Sequence, residues 1–382
     1  MRVAQALIRQ WPEQRDRLRP LQDLSPALVL AFGDLRLLDS PGLARDLAAA
    51  FPGAVLAGCS TAGEIHDGQV LEGSLSVTAL DLGSLACFPA STELAGSEDS
   101  FSAGERLGAA LAAGGARAAL VFAQGVRING SALVDGLASR FPEGIPIGGG
   151  LAGDGGAFQG TVVLSAEGLS ATRILALGFH GERLAFSSGS FGGWKAFGPL
   201  RKVTAARGNV LLELDGEPAL ATYKRYLGDH ARELPGSGLR FPFEMVSRGL
   251  ASEGVIRTIL GVDEGEGSLT LAGEVDPEGF LRLMHAQTDG LVDGADEAAR
   301  LALGGDARLA GPTLALLVSC VGRKLVMGGR VEEEVEAVAA RCGAFAHLTG
   351  FYSYGEIGPV PGGSCRLHNQ TMTLSLIAER DG

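Results

Sequence analysis

The segment Gly58-Cys59-Ser60-Thr61-Ala62-Gly63-Glu64-Ile65 returns near the far end of the chain as Gly350-Phe351-Tyr352-Ser353-Tyr354-Gly355-Glu356-Ile357. A looser copy, Gly148-Gly149-Gly150-Leu151-Ala152-Gly153-Asp154, lies between them. All read G-x-x-x-x-G-[DE], and each follows an apolar run. A repeated loop implies a repeated unit, and two such units facing each other make a cleft. The small residues let backbone N–H groups approach a ligand, and each copy brings a carboxylate.

Reading outward from the loops, each copy ends the same pattern. In the first, the apolar run from Ala27 to Phe32 has strand length, and Ser40-Pro41 reads as a helix start. Leu43, Leu47 and Phe51 then recur at helical spacing before Pro52-Gly53, and residues 54–57 form a second apolar run. In the second, Ala118 to Ala123 is the strand, Asn129 or Ser131 caps, and Leu133, Leu137 and Phe141 mark the helix face. In the third, Leu314 to Ser319 is the strand and Val331, Val335, Val338 and Cys342 the face, after a longer loop from Cys320 to Arg330. Strand–helix–strand units are most simply parallel pairs with a right-handed crossover. Ligands of open α/β sheets sit at the carboxyl ends of the strands, where these loops lie.

Between the units the pattern alternates with period two, as in 74–80, 173–179, 210–214 and 280–285, which predicts antiparallel strands. The expected fold class is therefore α/β in the broad sense: mixed sheets covered by helices, two related halves, layered α-β-β-α. A turn at Asp215-Gly216-Glu217-Pro218 and a helix from Ala219 to Leu227 place the boundary between the halves.

The 382 residues carry a net charge of −12, with 46% hydrophobic and 20% charged residues. No long basic stripe with aromatics is present, which argues against a nucleic-acid partner. No apolar run approaches the roughly 18 residues of a membrane span, and the first 20 residues lack the apolar core of a signal peptide. The five Cys are dispersed without C-x-x-C, which predicts free thiols and a cytoplasmic setting.

A phosphate-binding P-loop needs Lys after its second Gly. Here Glu64, Asp154 or Glu356 stands there, so that mode is disfavoured. Two readings of the loops stand: strand-exit turns closed by an acid, or a ligand or interface site using Ser60, Thr61, Tyr352, Ser353 and Tyr354 as well. The tail Cys365-Arg366-Leu367-His368-Asn369-Gln370-Thr371 is a polar cluster entering a strand. It reads as a cavity wall or as a hydrogen-bonded patch. The histidines match no zinc or covalent haem motif. Cys59 or Ser60 near His66 is the only nucleophile candidate. Its spacing misses the G-x-S-x-G elbow and no acid–His pair accompanies it, so the expectation is no enzyme.

These motifs resemble the FIST family of sensory domains. Gly58 to Ile65 resembles the hallmark of its N-terminal half, and Phe351 to Pro359 with Leu367 to Met372 resembles that of its C-terminal half. The resemblance implies domains at 26–218 and 219–378 and a bacterial, cytoplasmic ligand-sensing protein. Partners of that kind include histidine kinases and other signalling proteins, and amino acids are among the ligands proposed. No kinase or receptor segment lies within the 382 residues, so output is expected through a separate protein. One branch of the family binds haem and senses nitric oxide. For that alternative His368 or His66 is the candidate ligand. The expected small-molecule pocket comprises Ser60, Thr61, Glu64, Arg323, Tyr352, Tyr354, Glu356, His368 and Asn369, with no metal otherwise. The Glu residues would accept from an ammonium, and Arg323 would donate to a carboxylate.

Overall fold

Each of the three apolar runs becomes a strand buried along its whole length: Leu28–Gly33, Ala118–Ala123 and Thr313–Cys320. The structure, a computed structural model, describes residues 1–142, 144–246, 254–304, 311–360 and 364–380. Each run pairs in parallel with the strand that feeds the motif loop, namely Val55–Ser60, Ile147–Leu151 and Ala346–Ser353. Helices Leu43–Ala50, Gly130–Arg140 and Glu332–Cys342 make the crossovers. Asn129 is the cap of the second, accepting from Ala132 N–H at 3.0 Å. The first begins later than Ser40-Pro41 predicts, after Gly42 in the left-handed region. The expected long loop after Cys320 is instead a helix, Val321–Met327, because Val321, Arg323 and Met327 all find buried positions.

A returning strand lies antiparallel to each first strand: Leu75–Asp81, Arg173–His180 and Met372–Glu379. An outer strand pairs with each return: Arg2–Ile8, Ala86–Glu93 and Leu184–Phe191. The last two strands of every sheet come from elsewhere. The hairpin after the first loop, Glu64–His66 with Gln69–Leu71, pairs with the third unit's Ala346–Ser353. The hairpin after the second, Val163–Ser165 with Gly168–Ser170, pairs with the first unit's Val55–Ser60. The third, Gly355–Pro359 with Cys365–His368, pairs with the second unit's Ile147–Leu151. The exchange is cyclic, and each of these three sheets has six strands.

The fold is thus mixed α/β with helix-covered sheets, as expected. The N-terminal half holds two copies of the repeat and the outer strand of the third, Leu184–Phe191, and the C-terminal half holds the rest of the third. That third copy carries an insertion, Lys195–Arg207 through Phe280–His285, which builds an eight-stranded fourth sheet with helix Ala219–Leu227 packed on it. Among the described residues no helix is long and apolar enough to cross a membrane.

The inner faces of the three repeat sheets share one core, with Leu30, Leu120 and Leu316 as equivalent members. Helices cover the outer faces: Leu43 and Leu47 pack on the first sheet, Leu107 and Leu137 on the second, and Ala298 and Val335 on the third. Any two sheets with their helices follow the α-β-β-α order, and the third closes the open side. At the centre each repeat gives one ring. Phe32 lies 4.8 Å from Phe351 and 5.5 Å from Phe122, and Phe122 lies 6.2 Å from Phe351, centroid to centroid. A smaller residue sits opposite each ring in the parallel register: Cys59, Gly150 and Val318.

The register also corrects the spelling of the looser loop. A Cβ on Gly58, Gly149 or Gly350 would lie 1.7, 2.0 or 1.8 Å from the carbonyl oxygen of Ala31, Val121 or Leu317, its partner on the neighbouring strand. These three are the equivalent glycines, so the second copy aligns one residue later than its G-x-x-x-x-G-D reading. Gly155, not Asp154, occupies the position of Glu64 and Glu356.

Truncating Phe351 to Ala should cost about 3–5 kcal/mol, the range for a buried Phe in a core that cannot collapse. Phe345→Ala, at a side chain 50% exposed, should stay within about 0.5 kcal/mol. Urea denaturation distinguishes the two, and equal losses would contradict the central placement.

Candidate functional site: the loop junction and the seam beside it

The three loops meet. Ala62 N–H donates to Tyr352 O and Tyr352 N–H to Gly63 O, both at 2.8 Å. Gly153 N–H donates to Ser60 O at 2.9 Å, Gly155 N–H to Thr61 O at 3.0 Å, and Tyr354 N–H to Leu151 O at 3.2 Å. The predicted residues Ser60, Thr61, Glu64, Tyr352, Tyr354 and Glu356 therefore gather in one junction, but their side chains are engaged within the protein, there or, for Tyr352, on Glu334. Glu64 accepts from Thr61 Oγ1 at 2.5 Å, Ser74 Oγ at 2.6 Å and Ser74 N–H at 3.1 Å. Glu356 repeats the pattern with Ser353 Oγ at 2.7 Å, Thr371 Oγ1 at 3.1 Å and Thr371 N–H at 3.2 Å. In both, a hydroxyl three residues earlier closes the loop and the residue just before the returning strand clamps the carboxyl. Burial pushes both carboxyls up, Glu356 to about 8, against the hydrogen bonds that pull them down.

Asp154 plays a different part. It accepts from Phe158, Gln159 and Gly160 N–H at 2.7–2.9 Å and from the Tyr354 hydroxyl. Burial works against its charge, and these donors more than offset it, holding the carboxyl below its usual range. The Tyr354 ring stacks on Phe158 at 4.1 Å. Ser60 Oγ accepts from Val162 N–H at 3.0 Å.

Arg323 is fully buried and paired with the equally buried Glu334 at 2.8 Å. Ser319 and Tyr352 hydroxyls donate to the same carboxylate, each at 2.8 Å. The remaining Arg323 donors reach the carbonyls of Gly192, Leu291 and Gln370. Its charge is thereby compensated inside the protein, where removing one partner costs about 3–5 kcal/mol.

The tail cluster forms the turn that leads into the final strand. His368 Nε2 sits 3.2 Å from Gly358 O, which makes it the protonated nitrogen. Burial drives this imidazole down to about 4, so it is neutral at pH 7. Asn369 Oδ1 and Gln370 Oε1 are buried with no hydrogen-bond partner among the described residues. His368 and Thr371 open on a cavity of about 210 Å³ in the seam between the inserted sheet and the repeats. Ser190, Trp194, Ile256 and Met284 line it, and so do Glu244 and Arg282, an ion pair across neighbouring strands. Glu244 is 4% exposed, and the Trp194 indole donates to Gln370 O at 2.8 Å. Glu244 and Arg282, within the insertion, and Trp194, just before it, escaped the sequence reading, because they carry no repeat signal.

Among the described cavities, none of haem size is lined by either candidate imidazole. His368 Nε2 is held by Gly358, and its cavity lies below the roughly 300–1,000 Å³ of pockets for drug-sized ligands. His66 Nδ1 is bonded to Ser76 Oγ at 2.9 Å, and its ring lines none of the described cavities. Among the described residues no group of His, Cys, Asp and Glu is arranged to hold a metal ion. Cys59 is fully buried, and burial pushes its thiol well above the usual range.

This architecture belongs to the FIST family: the FIST N domain matches residues 27–217 and the FIST C domain residues 219–359. FIST domains are linked to sensing in signal transduction. Similar chains include an uncharacterized protein of Mycobacterium bovis, 31% identical over 186 residues that make up 46% of each chain. An uncharacterized protein of Mycobacterium tuberculosis strain H37Rv is 32% identical over 46% of this chain and 47% of its own. The chain spans about half the length of the curated relatives it matches. Among solved structures, a cyanuric acid hydrolase of A. caulinodans covers 99% of both chains at 11% identity and a TM-score of 0.37. The expectation of no enzyme is corrected on this point, since a hydrolase is among the structures this chain is similar to. At that TM-score the likeness assigns no reaction here.

A carboxyl raised by burial keeps its proton in the folded state at pH values where the unfolded chain has lost it. Glu356 therefore stabilises the fold fully below about pH 4.5, and that contribution is lost as pH rises through about 8. Stability should fall across this window by at most about 1.4 kcal/mol per pH unit for this proton. Glu356→Gln should flatten part of the fall, leaving the share of Glu64. Urea midpoints at pH 5, 6.5 and 8 read it, and an unchanged slope would exclude this carboxyl as a source.

Proposed function

We propose that this chain is a cytoplasmic sensory protein in which a small zwitterion, such as an amino acid, occupies the seam cavity. Occupancy is relayed to a separate signalling partner, for example a histidine kinase. The observation that carries the reading is the Glu244–Arg282 pair in the wall of a 210 Å³ cavity. A zwitterion can set its ammonium against buried Glu244 and its carboxylate against Arg282, whose side chain is 34% exposed and so retains donors beyond the pair. Trp194, Ile256 and Met284 suit its apolar part. Ser190 and Thr371, whose hydroxyls are bonded to Thr373 and Glu356, keep oxygen lone pairs as acceptors, and the Asn369 and Gln370 oxygens leave acceptors to spare in the adjoining turn.

The loop residues enter this proposal as its frame. Glu356 clamps Thr371, and Arg323 fixes the repeat-side backbone of the seam through Gly192 O and Gln370 O. Ligand in the cavity touches the inserted sheet and the third repeat together, so it changes how firmly one sits on the other. That is the motion a partner would read.

Thermal-shift screening of L-amino acids on the full chain tests the site. A true ligand at a hundredfold excess over its Kd adds about 2.7 kcal/mol to stability. Arg282→Met and His368→Gln should each weaken a hit by tenfold or more. Hits that survive both, yet vanish in Glu64→Ala and Glu356→Ala, would move the site back to the loops.

A further inference from the structure

A second opening on the same seam, about 590 Å³, lies away from His368. On one side are His230, Arg240 and Phe241, from the short helical turns Gly228–Glu233 and Gly236–Arg240 and the residue after them, with His285 at the end of strand Phe280–His285. On the other side are Thr288, Asp289, Val326 and Arg330 from the third repeat's helical layer.

Its charges are not balanced. Arg330 is held by Asp289 and Glu333, each at 2.7 Å. Arg240 forms no ion pair or side-chain hydrogen bond with any described residue, and it is exposed to the opening. The two imidazoles are held through their ring faces or edges, not their nitrogens. His230 packs on Phe241 at 5.4 Å and His285 stands edge-on to Phe197 at 5.9 Å. No described residue hydrogen-bonds either ring. Among the described residues these histidines belong to no group arranged to hold a metal ion. The result is a pocket with a guanidinium and two imidazoles free, in a chain of net charge −12.

We propose that this pocket binds a small organic phosphate monoester. The phosphate brings three strong acceptor oxygens, and Arg240, His230 and His285 supply three separate donors for them. Arg is the residue whose planar fork suits such an oxyanion. The volume falls in the range of about 300–1,000 Å³ for organic ligands, well beyond a bare phosphate, and Phe241 with Val326 provides an apolar wall for the organic part. A ligand there bridges the inserted sheet and the repeats at a point apart from the 210 Å³ cavity.

Isothermal titration calorimetry of the full chain with AMP, adenosine, citrate and inorganic phosphate tests it. AMP should bind, adenosine should bind at least tenfold more weakly, and inorganic phosphate should compete with AMP. Affinity for AMP should fall as salt rises, and should drop tenfold or more in Arg240→Ala and in the double variant His230→Gln/His285→Gln. Arg240 and His230 are exposed, so Arg240→Ala and His230→Gln are expected to fold, and an unchanged circular dichroism melt checks this. No AMP heat at millimolar concentration, or equal affinity in Arg240→Ala, overturns the site. Adenosine as tight as AMP overturns the role of the anion, and citrate as tight as AMP overturns the choice of phosphate.

Discussion

None of the three repeat sheets is completed by its own segment of chain. Each stops at the second parallel strand, whose free edge is filled by a hairpin from another repeat. A row of open backbone groups is costly when buried and prone to mispairing when exposed. Exchange of hairpins removes both problems together, and it obliges all three repeats to fold as one body. The shared inner core follows from that closure, with Phe32, Phe122 and Phe351 at its centre.

The motif loops serve this exchange. At each loop the chain leaves one sheet and enters another, so it must turn inside the protein. A buried turn leaves polar groups to be satisfied. Glu64 with Thr61 and Ser74, and Glu356 with Ser353 and Thr371, meet that demand at two of the crossings. At the remaining crossing Asp154 gathers three backbone N–H groups and the Tyr354 hydroxyl. The acidic side chains of the loops are thus occupied by the turns they close.

Polar groups without a partner among the described residues lie along the seam of the insertion: the Asn369 and Gln370 oxygens and Arg240 sit at or beside the junction of the fourth sheet with the repeats, where the Glu244–Arg282 pair also lies. A sensory domain needs an element whose seating a ligand can alter. The repeat body, locked by exchanged strands, is poorly suited to that. The inserted sheet holds its own core, with Tyr223, Phe243 and Leu281, and meets the body through a seam that contains cavities.

The sequence by itself determined the strand–helix–strand units, their parallel pairing and the kinship of Glu64 with Glu356, because those depend on local periodicity and on glycines that a neighbouring strand demands. Helix Ala219–Leu227 and strand Phe280–His285 were legible to the residue for the same reason. Helices Ser100–Ala113 and Thr288–Ala302 gave no clear signal, since Ala and Gly take up much of their packing faces. Only the tertiary structure decided which sheet each hairpin joins, since a strand's hydrogen bonds carry no address in sequence. It also decided that Arg323 is enclosed by Glu334 while Arg240 is free. Burial and partner choice depend on residues far apart in the chain, and no spacing rule within one segment can report them.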